Sequence, residues 1–226
     1  MASTVDICNL ALGYLGDTAT VSSLNPPDGS AQAQHCARFY PIARTSALEL
    51  AAWDFATKRA FLAAVSNSWP MWRFAYAMPS DAMSVISILP NDALDDYAAR
   101  ACAPSFQPWP QGFVPPPADS IYTPQPYSIE MNAAGQQIIL TNVCAAVIRY
   151  TFDVSDTTKF SGLFTQALAW LLASMLAGPL LKGDAGAAES KRCLQMFQMI
   201  EAQAESSDAN QRNVKPQIAT PWIVGR

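Results

Sequence analysis

From Val5 to Leu15 apolar residues recur at helical spacing: Ile7, Leu10, Ala11, Tyr14 and Leu15. The pattern predicts a first helix, with Ser3 or Thr4 as its cap and Asp6 in the first turn, where the helix dipole favours negative charge. Gly16 stops it, and residues 18–29, with Asn25-Pro26-Pro27-Asp28-Gly29, read as a loop. A longer second helix is expected from Ser30 to about Phe55. Cys36, Tyr40, Ala43, Ala47, Leu50 and Ala51 form its apolar stripe, and Gln34, Arg38, Thr45 and Glu49 its opposite face. Pro41 removes a backbone donor and clashes with the preceding turn, so a kink or a restart near Tyr40 is expected.

After Arg59 the period changes. Arg73–Met78 and Met83–Leu89 read as short strands, and Tyr127–Met131, Gln137–Thr141 and Ala145–Phe152 are the clearest, rich in β-branched and aromatic residues. Residues 132–135 make a hairpin turn between two of them. Residues 103–126 are proline-dense, which excludes helix and central strand and predicts an extended, exposed loop carrying Phe106, Trp109 and Phe113. Exposed aromatics on a stiff loop favour contact with a partner. Helical spacing returns over Ser161–Leu181, ended by Gly183, and over 185–204, where Cys193, Leu194, Phe197, Ile200 and Ala204 share a face and Asp184 is the cap. Residues 206–226 are polar and then extended. No internal repeat is present.

The expected fold is α+β and mainly α: a bundle of about four helices from residues 1–59 and 160–205, an inserted antiparallel β-rich region at 60–159, and an extended C-terminal arm at 206–226. The arm holds Pro216 and Pro221, which bar it from a central strand. Yet it ends in Trp222, Ile223 and Val224, an apolar group that is costly to leave in water at a chain end. Trp222 with Ile223 is therefore a candidate anchor for a neighbouring subunit or partner, and Arg226 offers its guanidinium to an acidic one.

Composition sharpens this picture. Among 226 residues 50% are hydrophobic but only 14% are charged, with 6 Trp and 8 Met. That is far below the usual share of about a quarter charged, and it suggests a surface covered by other subunits or partners. The net charge of −4, with Lys and Arg scattered, gives no basic footprint for gripping nucleic acid. Five cysteines at wide spacing, with no CxxC pair, argue against a disulfide framework and for a reducing compartment. The N-terminus has neither a basic region nor a cleavage signature, so no signal peptide is expected. Leu163–Leu181 is uncharged and near spanning length, but Thr165, Gln166, Ser174 and Pro179 and the lack of a polybasic flank favour a buried core helix over a membrane span.

Catalytic chemistry is not visible. His35, the single histidine, adjoins Cys36, and neighbours on a helix point about 100° apart, a poor geometry for a metal or a nucleophile. His35 is expected to face solvent. No HExxH, GxSxG, GxGxxG or phosphate-binding loop is present, and without paired cysteines no metal site is expected. Glu49 with Asp54 is the carboxylate pair a glycoside hydrolase would need, but five residues of spacing do not place them on one helix face. They read as surface acids flanking Trp53. No catalytic residue and no cofactor is therefore assigned.

Several strings, in order, resemble one family. ICNLALGYLGD followed by VSSL is similar to the start of the head-to-tail adaptor (connector) proteins of short-tailed bacteriophages, the tail tubular protein A type. AQAQHCARFYPIARTSALELAAWDFATKRAFLA resembles their next helix, ending in a Trp-x-Phe-Ala-x-x-Arg element that reads WDFATKR here. WRFAYAMPSDAMSV, the block from QIILTNVCAAVIRYTF to LASMLAGPL, and the ending PWIVGR are similar to later parts. Residues 91–126 have no counterpart in that pattern. The resemblance implies a structural protein of the virion neck, assembled in the host cytoplasm. It implies a homo-oligomeric ring of about twelve copies, a dodecamer, between the portal protein and the tail nozzle protein. Genomic DNA would pass through an acidic lumen without specific binding. It implies no catalytic residue and no membrane insertion. A tail-borne peptidoglycan-degrading glycoside hydrolase and a membrane-active protein using Leu163–Leu181 remain the alternatives.

Overall fold

Ser3 begins the first helix with a reciprocal cap. Its hydroxyl accepts from the Asp6 N–H at 3.1 Å and its own N–H donates to Asp6 Oδ2 at 2.8 Å, starting α1 (Thr4–Tyr14). The computed structural model describes residues 2–18, 20–91, 93 and 125–211. These form two compact units, one of Met1–Thr57 with Thr151–Arg212 and one built on Lys58–Tyr150. Among the described residues the fold is α+β, with four helices and two sheets.

The first unit is helical. α1 leads through a loop organised by Asp28 to α2 (Ala31–Leu50), whose cap is Ser30. Asp28 accepts from the Ser30 hydroxyl and N–H at 2.7 and 3.0 Å, and from the Ser22 N–H and hydroxyl at 2.8 and 3.2 Å. The Ser30 hydroxyl, followed by the backbone N–H groups of Ser22 and Ser30, holds this carboxyl well below the usual carboxylate range. A depressed folded-state pKa contributes stability that is complete above the ordinary carboxylate value of about 4 and is lost as pH falls through the folded value. Asp28→Asn is thus expected to lower the melting temperature at neutral pH and to flatten its fall below about pH 4. Parallel melting curves across pH, unchanged between the two proteins, would contradict this.

A short 3-10 turn at Asp54–Ala56 follows α2. After the second unit the chain returns through another at Thr157–Lys159 to α3 (Gly162–Leu181) and α4 (Gly183–Ala209). α3 packs on α1, α2 and α4, which is why residues on nearly all its faces are buried, among them Phe164, Leu168, Leu172 and Leu176. By length and composition α3 could cross a membrane, but 50% of its apolar window is buried inside the molecule. At its N-terminal end Trp53, Phe55 and Phe160 gather round Phe164 at ring separations of 4.9–5.0 Å. Midway along it Trp170 stacks on Tyr14 at 3.8 Å, with the Arg192 guanidinium 5.3 Å above the Trp170 ring. α3 and α4 meet at a sharp corner, and a Cβ on Gly186 would lie 2.9 Å from the Ala177 carbonyl oxygen. Only glycine lets the two backbones come that close.

The second unit is two antiparallel sheets. One has the order β1 (Thr57–Phe61), β7 (Val147–Phe152), β4 (Ala82–Leu89). The other has the order β2 (Ala64–Val65), β3 (Phe74–Ala77), β6 (Gln137–Thr141), β5 (Tyr127–Met131). The sheets are joined along both flanks. β1 and β2 are separated by only Leu62 and Ala63, and the Gln125 N–H donates to the Ile88 carbonyl at 2.8 Å. β6 is central, so Ile138, Ile139, Leu140 and Thr141 are all buried. Lys58 and the Tyr150 hydroxyl both donate to Asp81, each at 2.9 Å. The Lys58 hydrogen bond is the main reason the Asp81 carboxyl lies below the usual range.

Several expectations are corrected. The buried face of α1 is Ile7, Cys8, Ala11 and Leu12, with Leu10 exposed. α2 ends at Leu50 and not near Phe55, and Leu50 is exposed. It runs unbroken through Pro41, which lies on the exposed side while Tyr40, Ala43 and Ala47 are packed on the other. His35 is half-buried and stacks against Phe39 at 6.3 Å, where a solvent-facing side chain was expected. Residues 57–61 are strand β1, which the sequence pattern did not reveal. α3 ends at Leu181, with positive φ at both Lys182 (+56°) and Gly183 (+57°), but α4 starts at Gly183, one position before the expected cap Asp184. Leu194, assigned to the inner face of α4, is exposed. α4 continues to Ala209, so the first residues of the expected arm are helical.

Candidate interaction surfaces

The partner-binding residues read from the sequence, Trp222, Ile223 and Arg226 in the arm and Trp109, Phe106 and Phe113 in the proline-dense loop, lie outside the described residues. Glu49 is exposed at the end of α2. Asp54 is half-buried, and its N–H donates to Asp208 Oδ2 at 2.9 Å, which ties the 3-10 turn to the last turn of α4. Asp208, only 8% exposed, lines a cavity of about 110 Å³ with Trp53 and Glu205.

The thiols divide by environment. Cys8, Cys36 and Cys193 are buried and Cys144 is exposed, all four free. A hydrogen bond with Cys36 and then burial push the Cys8 thiol well above its ordinary value, and burial raises Cys193, so both stay protonated and unreactive. Among the described residues no group of three or more His, Cys, Asp or Glu side chains is arranged to hold a metal ion.

Among the described residues, one apolar surface feature was not read from the sequence. Between β2 and β3 the chain Ser66-Asn67-Ser68-Trp69-Pro70-Met71-Trp72-Arg73 forms a loop held by its own polar groups. Asn67 accepts from the Trp69 N–H at 2.9 Å and donates to the Trp72 carbonyl. The Trp72 N–H reaches the Trp69 carbonyl at 3.3 Å, and the Arg73 N–H donates to Asn142 Oδ1 at 3.0 Å. Trp72 turns inward against Ala75, Ile138 and Leu140. Trp69 and Met71 project outward, 52% and 85% exposed. Two large apolar side chains on an ordered turn are more than the scattered exposed hydrophobics found on any protein. A Trp-Pro-Met run between a turn-forming Asn and an Arg was the available signal.

The opposite end of the same sheet is concave. A cavity of about 330 Å³ is lined by Ala77, Met78, Pro79, Ala82 and Ile138, with Ser80, Gln136 and Gln137 at its polar side. Met131, 61% exposed, pairs with Gln137 at that end, and Glu130 pairs with Ile138. Comparison of the chain with protein-family models and with curated proteins gives no match.

Proposed function

We propose that this chain is the structural subunit of a ring-shaped head-to-tail adaptor of a short-tailed phage. The ring joins the portal protein to the tail nozzle protein and leaves a channel for the genome. The observation that carries this reading is the order and spacing of the matching strings, from ICNLALGYLGD at the start to PWIVGR at the end. The scarcity of charge and the outward Trp69 and Met71 support it, because a subunit with covered faces needs few charges and many apolar contacts. The acidic balance supports a lumen along which DNA slides, since tight binding comes from basic contacts to phosphate. In this reading the protein is not an enzyme, takes no cofactor or metal, keeps α3 inside its own fold and not in a membrane, and belongs to the virion neck.

The finer architecture belongs to the same proposal: the residues after α4 form an extended arm whose Trp222 anchors in a neighbouring subunit or the portal. Native mass measurement of the purified protein, alone and with its portal, tests the ring. A closed oligomer of about twelve copies on the portal is expected; a protein that stays monomeric and fails to bind the portal would overturn the reading. Deletion after Thr220 is expected to abolish portal docking and leave the melting curve unchanged. Loss of an aromatic anchor worth about 2 kcal/mol per copy is multiplied round a ring. Normal docking of the truncated protein would remove the arm.

A further inference from the structure

We infer that copies of this chain join head to tail through the Lys58–Tyr150 unit, the Trp69–Met71 tip of one copy entering the cavity beside β3 and β4 of the next. The inference rests on the ring reading and names the surface that would close it.

Three observations carry it. The first is placement. In the register of β3 on β6, Phe74 pairs with Thr141 and Ala77 with Ile138, so the tip before Phe74 and the cavity around Ala77 are at opposite ends of one sheet. The four residues of β3 separate them by about 13 Å. A surface and its complement at two ends of one rigid element make a heterologous contact, the kind that propagates into a ring or a filament. The second is fit. The cavity, at about 330 Å³, is roughly twice the 150 Å³ that holds a benzene ring, so an indole can enter. Its lining of Ala77, Pro79, Ala82 and Ile138 suits an aromatic face, while Ser80 and Gln136 can meet an indole N–H. The third is charge. The tip loop carries one charge, the cation Arg73, whereas the cavity end carries the acids Asp81, paired with Lys58, and Glu130. The two ends therefore attract each other, and tip-to-tip or cavity-to-cavity pairing is disfavoured.

The test separates a head-to-tail contact from any other. Two variants of the full chain are made, a tip variant (Trp69→Ala with Met71→Ser) and a cavity variant (Ser80→Trp, at an exposed turn position). Each is expected to weaken self-association about thirtyfold in sedimentation, the usual loss for an aromatic anchor. Mixed one to one, they are expected to form a dimer that grows no further, because one supplies the intact tip and the other the intact cavity. Met71→Glu, at an almost fully exposed side chain, gives the same loss with no effect on folding should the double change destabilise the unit. If wild-type protein forms its ring on the portal and the tip and cavity variants do so equally well, the inference is overturned and the ring reading stands. If wild-type protein never associates, alone or with the portal, both fall. Unchanged assembly with lost flotation on anionic phospholipid vesicles would overturn the inference in favour of a membrane-facing tip.

Discussion

Leu172→Asp is expected to leave the protein insoluble or unfolded, while Leu181→Asp in the same helix is expected to be tolerated. Leu172 is 0% exposed in the middle of α3, which meets α1, α2 and α4, and among the described residues of the helical unit no Lys or Arg is buried to pair with a carboxylate. Burying an unpaired charge costs several kcal/mol, comparable to the roughly 5–15 kcal/mol that holds a whole domain together. Leu181, in the last turn, is 42% exposed, so an Asp there stays in water. Soluble expression and thermal melting of the two variants distinguish these cases. A soluble Leu172→Asp protein with the wild-type melting temperature would remove α3 from the centre of the helical unit.

The second large effect is expected at Trp53. Its ring is buried, 5.0 Å from Phe164 in edge-to-face contact, and its indole N–H donates to the Ala47 carbonyl at 2.9 Å. Ala47 is in the last turn of α2, where carbonyls have no partner within the helix, so the indole acts as that helix's side-chain cap. Trp53→Ala removes the ring and the cap together and should cost about 3–5 kcal/mol. Trp53→Phe keeps most of the packing but orphans the carbonyl, at about 1–3 kcal/mol. Chemical denaturation gives both values, and a Phe variant as destabilised as the Ala variant would show that the hydrogen bond outweighs the ring.

How far the fold could be read from the chain depended on whether a signal was local. β5 and β6, with their hairpin turn, matched the β-branched and aromatic pattern residue for residue: β6 is central and apolar on both faces, and β5 is the edge strand paired along its whole length with it. β1 was missed because Thr57-Lys58-Arg59 looks like a charged linker: it is an edge strand with its charges in water, and only pairing with β7 makes it a strand. α1 was recognised with Ile7 and Ala11 on the buried side as expected, but its stripe is rotated away from Leu10. Helical spacing allows two overlapping stripes, and contact with α3 selects the one with Cys8 and Leu12. The last turn of α4 reads as polar coil, yet it is held by Asp208 accepting from Asp54 N–H across 154 positions, which no local pattern can show. Of the candidate contact surface, the tip stood in the sequence as Trp-Pro-Met, but its outward direction follows from the Asn67 hydrogen bonds. The cavity is made by two segments far apart in the chain, so nothing in either of them announced it.

The nesting of one unit within the sequence of the other bears on the order in which the molecule can form during synthesis. α1 and α2 leave the ribosome about a hundred residues before α3, the helix they both pack against, so they must wait with their apolar faces uncovered. Of the strands that come between, β5 and β6 are near neighbours in the chain, whereas β1 and β7 are far apart. When β7 pairs with β1, it brings Thr57 and Thr151 to neighbouring strands of one sheet. That pairing closes a long loop, and the strand contacts offset the entropy of closure. A substitution that loosens the sheet is therefore expected to slow the docking of helices it never touches, a delay that refolding kinetics would reveal.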